Sequence, residues 1–446
     1  MNKGIAPLLC GILFLVLHAS SCSGQGIDIR KPVDQLNAML NPLPSGSPLL
    51  YEDGIFAPLD PTFMNCSVIG LGEAAHGAKE FFELKHRLFR YLVENHGFRA
   101  LAYEMNFGLA LDIDRYVTHS VGNIDSLLST FYWIQANEEV LNLLCWMREY
   151  NRDRPEADKV HFIGIDSQLD IWDIGRFERL IREFYPIASE ELTAPIEDVR
   201  AYGKIDYKEL SPDEYGRIGK ALDSIKAAIQ ATCRQGDRHG FLIAARLADG
   251  LIRSHEFLYD VYQGLDNPRD KHLASQALWI GEYLGEGTPL ALWAHNAHVG
   301  RDPSYDKYGN GSMGRFLADS LGSDYVVIAT SFAWGSFTAV MADSLGNDTP
   351  PLTCTVDEVP ADESVHGLLD QAEEERYFLL LRGIKEHSAL YRYLNRDLPM
   401  LGVGDFYLGD PEAHAANRVK NCIEFFDVIF FLNNTRPLSL LPSYTR

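Results

Sequence analysis

The sequence is poor in the features that mark disulfide-rich proteins and nucleic-acid-binding proteins. Beyond residue 25 it has five cysteines, an odd number at wide spacing, and no C-x-x-C pair. This pattern supports neither a disulfide framework nor a zinc-thiolate site, and it predicts unpaired, buried thiols. The formal net charge is -22, and no basic stripe interrupts the acidic surface. We therefore expect no nucleic acid and no anionic membrane surface among the partners, because both would repel the chain.

Two common hydrolase motifs are also missing. The chain has no H-E-x-x-H, and its nearest approach to G-x-S-x-G is GNGSMG at 309–314, where Asn310 replaces the first glycine and no predicted strand precedes the serine. A serine nucleophile is therefore not predicted. There is no internal repeat and no low-complexity tract, so the 446 residues are enough for two or three domains or one elaborated α/β unit.

The first residues form a segment of different composition. Lys3 is followed by an apolar run at 5–17 and by small residues ahead of Cys22, which predicts a signal peptide over 1–21 that is too short to span a membrane. The small residues before Cys22 resemble a lipoprotein signal, in which this cysteine is lipidated and becomes the mature N-terminus. Ala19 stands where leucine is usual, so plain secretion stays open. We expect an exported bacterial protein, periplasmic or anchored to the outer membrane, tethered only through Cys22.

Short apolar runs alternate with long amphipathic stretches, which is typical of parallel strands joined by helices. The predicted strands are 67–72, 99–104, 160–165, 289–294, 325–330, 377–381 and 428–432. Their near-continuous hydrophobicity indicates an α/β fold with a mainly parallel sheet that is covered on both faces. Two stretches of helical pattern, 118–154 and 196–265, are predicted to be insertions that form a lid or a second lobe. We predict one α/β domain over 22–446.

Ionisable residues collect at the predicted carboxyl ends of the strands, which line the ligand crevice of an open parallel sheet. These residues are Glu73, His76, Glu104, Asp166, His295 and His298. Pairing histidines with carboxylates fixes the tautomer and tunes the pKa toward neutrality, as general acid–base catalysis requires. Three other histidines are interpreted as structural: His86 on an exposed helical face, His96 at a helix C-terminus, and His119.

The glycine spacing around Glu73 invites a second interpretation. Gly70, Gly72 and Ala75 match the G-x-G-x-x-A pattern of a dinucleotide-binding turn. A carboxylate on that turn would repel a pyrophosphate, and the acid that should bind the ribose lies about 20 residues on, whereas Glu104 lies 29 residues beyond Ala75. We therefore interpret the glycines as allowing a tight turn that presents Glu73 to a cleft.

A metal site is the alternative that the residues themselves leave open. Glu73-x-x-His76 together with His295-x-x-His298 offers ligands that zinc or iron accepts. Histidines three residues apart beyond a strand end need not converge on one point. Metal-dependent hydrolysis by the same residues therefore stays beside metal-free acid–base catalysis as a hypothesis.

Several segments together resemble the erythromycin esterase family. They are GLGEAAHGAKEFFELKHRLFRYLVENHGFRALAYEMN at 70–106, GID at 164–166, NPRDKHLA at 267–274, WAHNAHVGR at 293–301 and SMGRFL at 312–317. They span most of the chain after the leader. The resemblance implies a three-layer α/β/α core with a helical lobe over the cleft, and hydrolysis of the macrolactone ester of macrolide antibiotics without a required metal or other cofactor.

The resemblance also implies roles for the residues at the strand ends. His76 falls on the general base that activates water, while Glu73 and Glu104 fall on carboxylates that orient and polarise the histidine and the water. His295 and His298 fall on the later pair of histidines, which steady the developing oxyanion or protonate the leaving alkoxide.

Three further residues are carried over as substrate-binding residues. Lys85 stands where the family has an arginine; it keeps the charge but loses the bidentate fork. Asp166 belongs to the GID motif, and Arg269 is a second cation, in NPRDKHLA.

Three hypotheses about function result. The first is a metal-independent esterase for a small-molecule ester, either a macrolide or another bulky ester. The second is a metallohydrolase that uses the same cluster as ligands. The third is a non-catalytic cell-surface binding protein, which the concentration of acid–base groups, rather than aromatic platforms, at the strand ends disfavours.

Overall fold

A computed structural model describes residues 28–442, apart from 65, 169, 185–189, 191–193, 195, 201–204, 234–237, 344–345, 358–363 and 410–417. The predicted signal peptide and Cys22 lie outside these residues. The strands are β1 (Asn41–Pro42), β2 (Val68–Glu73), β3 (Ala100–Asn106), β4 (His161–Asp166), β5 (Leu290–His295), β6 (Tyr325–Ser331), β7 (Trp334–Ala339), β8 (Leu352–Val356), β9 (Arg376–Leu380), β10 (Asp397–Pro399), β11 (Arg418–Lys420), β12 (Val428–Leu432) and β13 (Asn434–Thr435).

The main sheet has eight strands in the order β1-β9-β12-β6-β2-β5-β3-β4. The neighbours from β12 to β4 are all parallel, whereas β9 runs antiparallel to both β12 and β1. The seven predicted strands are all in this sheet, each within two residues of its predicted ends, so the prediction of an α/β fold with a mostly parallel sheet is confirmed. Two small sheets, β13-β7-β8 and β10-β11, lie beside it.

Helices connect the strands and pack on the sheet. The helices are Arg30–Asn37, Asp60–Phe63, Lys79–His96, Phe107–His119, Ile124–Leu128, Glu138–Asn151, Ile174–Phe184, Ile196–Arg200, Pro212–Cys233, Arg238–Gln263, Arg269–Leu284, Asn296–Val299, Met313–Leu321, Val365–Leu369, Ala389–Leu394 and Cys422–Phe425. Single 3-10 turns occur at Pro48–Leu50, Asp53–Ile55, Ala57–Leu59, Glu156–Asp158, Asp170–Asp173, Gly322–Asp324 and Leu381–Gly383.

The sheet separates two hydrophobic cores, because alternate side chains of each strand point to opposite faces. On β2, Val68 belongs to one core, and Ile69 and Leu71 belong to the other. The first core takes side chains from the helices Ile174–Phe184, Pro212–Cys233, Arg238–Gln263, Arg269–Leu284 and Met313–Leu321. The second takes them from Lys79–His96, Phe107–His119 and Glu138–Asn151. Burial on both faces explains why the strands read as continuous apolar runs.

The two predicted insertions do contain helices. The first, 118–154, includes Ile124–Leu128 and Glu138–Asn151, and the second, 196–265, includes the two long helices Pro212–Cys233 and Arg238–Gln263. Their apolar side chains are part of the two cores that flank the sheet. Their division into a separate lobe stays a prediction.

The cysteines follow the prediction only in part. Among the described side chains Cys66, Cys145, Cys354 and Cys422 are unpaired, as expected, and Cys354 and Cys422 are buried. Cys145 is exposed on the helix Glu138–Asn151 and Cys66 is only partly buried, so the expectation that each thiol is buried was wrong for these two. None of the described helices has the length and apolar character that a membrane span requires.

Candidate active site

The strand order brings the two histidine-bearing segments together. β5 lies between β2 and β3, and Glu73, the last residue of β2, pairs in register with His295, the last residue of β5. Glu104 lies on β3, on the other side of β5. Residues that are far apart in sequence therefore meet at one edge of the sheet, where carboxyl ends of parallel strands form a ligand crevice.

The glycines that precede Glu73 serve close packing. Gly70 and Gly72 both lie inside β2, and neither has a positive φ, so the interpretation of a tight turn was wrong. A Cβ on Gly70 would lie 2.9 Å from the Cβ of Val299, and one on Gly72 would overlap the side-chain oxygen of Asn296. The glycines thus allow the short helix Asn296–Val299, which follows β5, to lie directly against β2.

Glu73 joins a histidine to a buried lysine. Its Oε1 accepts a hydrogen bond from His76 Nδ1 at 2.9 Å, and its Oε2 contacts Lys85 Nζ. Lys85 is only 1% exposed; it also donates to the carbonyl of Ala294 at 3.3 Å and lies 4.4 Å from the ring centre of Trp293. We assign Lys85 as an ammonium because its Nζ directly contacts the carboxylate of Glu73; burial lowers the pKa of Lys85 well below its ordinary value, and the charge of Glu104 opposes that shift. With Nδ1 bound to Glu73, the nitrogen of His76 that remains for a ligand is Nε2.

Glu104 belongs to a second group of charges, which is centred on Arg269. Arg269 Nη2 donates to Glu104 Oε1 at 2.8 Å and to Asp166 Oδ2 at 2.7 Å, and Arg269 Nη1 lies 3.0 Å from His298 Nε2. Burial would raise the pKa of Glu104, but the charges of His298, Arg269 and His76 outweigh burial and hold that pKa below its ordinary value. Glu104 is therefore a carboxylate at neutral pH.

The Nδ1 side of the His298 ring contacts Asp270, which the sequence analysis did not identify as a site residue. Asp270 Oδ1 and Oδ2 lie 2.9 and 3.1 Å from His298 Nδ1, and Oδ1 also accepts from the backbone N–H of Met313 at 2.7 Å. Burial lowers the pKa of His298, whereas Asp270 and Glu104 raise it, and the net shift is upward. A carboxylate next to Arg269 at the start of a helix was the one available signal in the sequence.

His295 already uses both of its ring nitrogens. The N–H of Ala297 donates to Nδ1 at 3.2 Å, so the ring proton is on Nε2, which lies 3.3 Å from the carbonyl of Ala74. Burial and the neighbouring His76 and His298 lower the pKa of His295 well below its ordinary value, which keeps the ring neutral. Its backbone N–H donates to Glu104 Oε2 at 3.2 Å. In this arrangement His295 links the two groups of charges and has no ring N–H left for a substrate.

A small cavity lies between His76 with Glu73 on one side and Glu104 on the other. It measures about 40 Å³, and its walls are formed by Glu73, His76, Tyr103, Glu104, Ile134, Gln135 and Trp293. Lys85, Asp166, Arg269 and His298 are not among these wall residues. A larger groove of about 870 Å³ includes Tyr283 and the glycine-rich segment 285–287 just ahead of β5. That groove lies at the amino end of β5 and contains none of the predicted site residues.

The structure narrows the set of possible metal ligands. Among the described residues, Glu73, His76 and Glu104 offer ligand atoms within 4.8 Å of one another. His295 could bind a metal only after losing a bond to Ala74 or Ala297. The four-residue set suggested by the spacing of the histidines is thus replaced by two carboxylates and one histidine.

The histidines that were interpreted as structural lie away from this cavity. His96, in the last turn of its helix, contacts Asp60 at 2.9 Å, and His119 is half exposed. His86 is 4% exposed and packs against Trp146, so its expected position on an exposed face was wrong. Burial lowers the pKa of His86 to about 3, and the nearby Arg90 and Arg87 add to the effect.

Comparison with known proteins assigns the chain to a family. The family model described as erythromycin esterase matches residues 93–435, which begin after Glu73 and His76. The chain is similar to the erythromycin esterase type II of Escherichia coli, with 28% identity over 312 residues, 64% of this chain and 73% of that protein.

Solved structures share the fold. A Bacillus cereus protein matches with a TM-score of 0.77 at 23% identity, over 93% of this chain and 100% of the other. An erythromycin esterase variant in its open conformation matches with a TM-score of 0.64 at 18% identity, over 87% of this chain and 96% of the other. Because the family model covers more than half of the sequence, this chain belongs to the erythromycin esterase family and is an erythromycin esterase-like hydrolase.

Proposed function

We propose that the protein hydrolyses an ester by metal-independent attack of a water that His76 activates. One observation carries this proposal: His76 is bonded to Glu73 through Nδ1 and faces a cavity that Glu104 also lines. The cavity of about 40 Å³ has room for the attacking water, since about 10–15 Å³ suffices for one. The bonded carboxylate stabilises the imidazolium that forms when Nε2 takes the proton.

The hydrolytic steps balance with the groups at hand. His76 Nε2 takes a proton from water while the water oxygen bonds to the acyl carbon, and the carbonyl oxygen becomes an oxyanion. The C–O bond to the alcohol then breaks, and the departing alkoxide takes a proton from the imidazolium of His76 or from His298. A positioned histidine contributes typically ~10²–10⁴-fold to such a step.

The geometry favours positioning roles for three residues that the family resemblance implied bind substrate. Lys85 is sealed beneath Glu73, and Asp166 is bonded to Arg269 rather than facing the cavity. We infer that Lys85 keeps Glu73 ionised and aimed at His76, and that Asp166 fixes Arg269. Direct contact of these three side chains with substrate stays a prediction.

The size of the cavity bears on the substrate. Ligand pockets usually measure about 300–1,000 Å³, so a macrolide or another bulky ester needs more room than this conformation has. Ile134 and Gln135, which form part of the wall, belong to the first predicted insertion. We propose that this segment acts as the helical lobe over the cleft and moves to admit the substrate.

We also propose that the reaction takes place outside the cytoplasm, as the predicted signal peptide at 1–21 suggests.

Hydrolysis can be tested directly. The purified protein is incubated with erythromycin and with a panel of bulky carboxylic esters, and addition of one water is followed by mass spectrometry. We expect His76→Ala to lower kcat by about 10²–10⁴-fold with little change in melting temperature, and the exposed His119→Ala to behave as the parent protein. Absence of hydrolysis across the panel, or a large loss of stability in His76→Ala, would contradict the proposal.

The metal-dependent alternative keeps one specific observation in its favour, the converging atoms of Glu73, His76 and Glu104. Lys85 opposes it, because its ammonium already occupies Glu73 Oε2. Metal analysis of the purified protein and chelator treatment distinguish the two mechanisms. Stoichiometric zinc, iron or manganese and loss of activity on chelation would favour a metallohydrolase, whereas saturable binding without turnover, unchanged in His76→Ala, would favour a binding protein.

A further inference from the structure

Asp270 is a buried aspartate that lies between the backbone N–H of Met313 and the ring of His298. It lies in the first turn of the helix Arg269–Leu284 and is 3% exposed. Its carboxylate accepts from the N–H of Met313 at 2.7 Å and lies 2.9 Å from His298 Nδ1. Both contacts are with residues of helices, since Met313 opens the helix Met313–Leu321 and His298 lies in the short helix that follows β5.

An ionised carboxylate can only accept hydrogen bonds, so the Nδ1 that faces it carries a proton. This holds for neutral and for protonated His298 alike. The nitrogen that gains or loses a proton is therefore Nε2, which lies 3.0 Å from Arg269 Nη1 and 3.4 Å from Glu104 Oε1. Neutral Nε2 accepts from Arg269, whereas protonated Nε2 donates to Glu104.

We propose that Asp270 is a positioning residue of the hydrolytic site, which fixes the Nδ1–H tautomer of His298 and thereby controls how Arg269 holds Glu104 at the cavity. The inference rests on the proposed function for its effect on turnover. Glu104 is the member of this group that reaches the cavity wall. Asp270 therefore acts on the reaction only through His298 and does not touch the substrate.

Replacing the carboxylate by an amide makes the consequence specific. In Asp270→Asn the amide oxygen, kept at the position of Oδ1 by the N–H of Met313, can still accept from His298 Nδ1 at 2.9 Å, whereas the amide NH2 replaces Oδ2 as a donor 3.1 Å from the same nitrogen. The amide therefore weakens the preference for Nδ1–H and allows the tautomer in which the proton is on Nε2. An Nε2–H in neutral His298 would confront the guanidinium of Arg269, and the contact at 3.0 Å would be lost.

The test combines kinetics with the tautomer of one histidine. We expect Asp270→Asn to lower kcat about 10²-fold, in the range that a misdirected acid–base group costs, with KM nearly unchanged, and Asp270→Glu to recover part of the loss. Asp319→Asn, which removes an exposed carboxylate paired with Arg315, is the matched control and should leave kcat unchanged. An Asp270→Asn variant with the kcat of the parent protein, or one in which only KM rises, would overturn the proposal.

The second measurement depends neither on turnover nor on the folding of an Asp270 variant. The ¹⁵N shifts of the His298 ring in the unsubstituted protein, assigned by comparison with His298→Gln, should report a protonated Nδ1 throughout the pH range of the folded state. A deprotonated Nδ1 would overturn the role of Asp270 even if the protein is an esterase. A protonated Nδ1 in a protein without hydrolytic activity would leave the tautomer assignment standing and contradict the proposed function alone.

Discussion

Replacing Lys85 with methionine tests how much the buried pair of Lys85 and Glu73 contributes to the free energy of unfolding. Methionine keeps an unbranched stem of similar length but removes the ammonium. Glu73 is 2% exposed and Lys85 is 1% exposed, so the carboxylate would remain buried with His76 as its one strong partner. Removing one member of a buried ion pair costs about 3–5 kcal/mol, because the remaining charge has lost both water and counter-charge. We expect Lys85→Met to lower the free energy of unfolding by that amount.

The measurement is a denaturant titration followed by far-UV circular dichroism and by tryptophan fluorescence, whose transitions must coincide for a single unfolding step. Glu73→Gln alone should be destabilising for the same reason, whereas the double variant should lose less than either single variant, because no charge is left unpaired. Lys226→Met, in which a partly exposed lysine loses its 2.6 Å contact with the partly exposed Asp249, is the matched control and should cost about 1 kcal/mol or less.

Two results would refute the reasoning. Additive losses in the double variant would mean that Lys85 and Glu73 contribute independently. A Lys85→Met variant as stable as the parent protein would mean that Glu73 becomes protonated without cost. Lys85→Arg should retain most of the stability, since a guanidinium could reach both Glu73 and the carbonyl of Ala294.

Two further predictions concern pH and packing. The pKa of His86, about 3 in the folded protein, lies below its ordinary value of 6.5, so the unfolded chain binds the proton first as pH falls. The contribution of neutral His86 to the free energy of unfolding is therefore fully present above pH 6.5 and is lost toward pH 3, on the order of 2 kcal/mol by pH 5. In His86→Phe the melting temperature should fall less between pH 6.5 and pH 3 than in the parent protein. An equal fall in both proteins would contradict the prediction. Gly72→Ala should lower the free energy of unfolding by about 1–3 kcal/mol through overpacking and should also lower kcat. The added Cβ would push Asn296, whose Nδ2 lies 2.7 Å from the carbonyl oxygen of Thr330, away from that partner. Unchanged stability in the denaturant titration would show that Asn296 can move without cost.

The sequence predicted the sheet well because its strands are short apolar runs bounded by polar ends. Glu73, Glu104 and His295 were predicted to meet because they follow such runs, and the structure brings them together. The order of the strands could not be predicted, since β5 enters between β2 and β3 through pairing of residues that are 222 and 190 positions apart in the sequence. Local pattern has no information about that insertion.

Burial and ring orientation explain the remaining differences. Lys85 comes directly after Leu84, which belongs to the apolar stripe of the helix. The spacing of apolar residues does not show that the ammonium of Lys85 is buried beneath Glu73. An aspartate in a first helical turn is usually a partner of the helix dipole, so Asp270 looked ordinary until His298 was found against it. For His295, the pattern gave the position of the ring and could not show that both its nitrogens are already bonded.

The charges around the cavity link the two candidate mechanisms. The two groups contain four carboxylates, Glu73, Glu104, Asp166 and Asp270, against the two cations Lys85 and Arg269. In a buried site such an excess of negative charge favours protons on nearby histidines, and the upward shift in the pKa of His298 has that cause. A divalent cation would satisfy the same imbalance, so metal analysis and the protonation of His76 and His298 address one question: which positive charges complete the site.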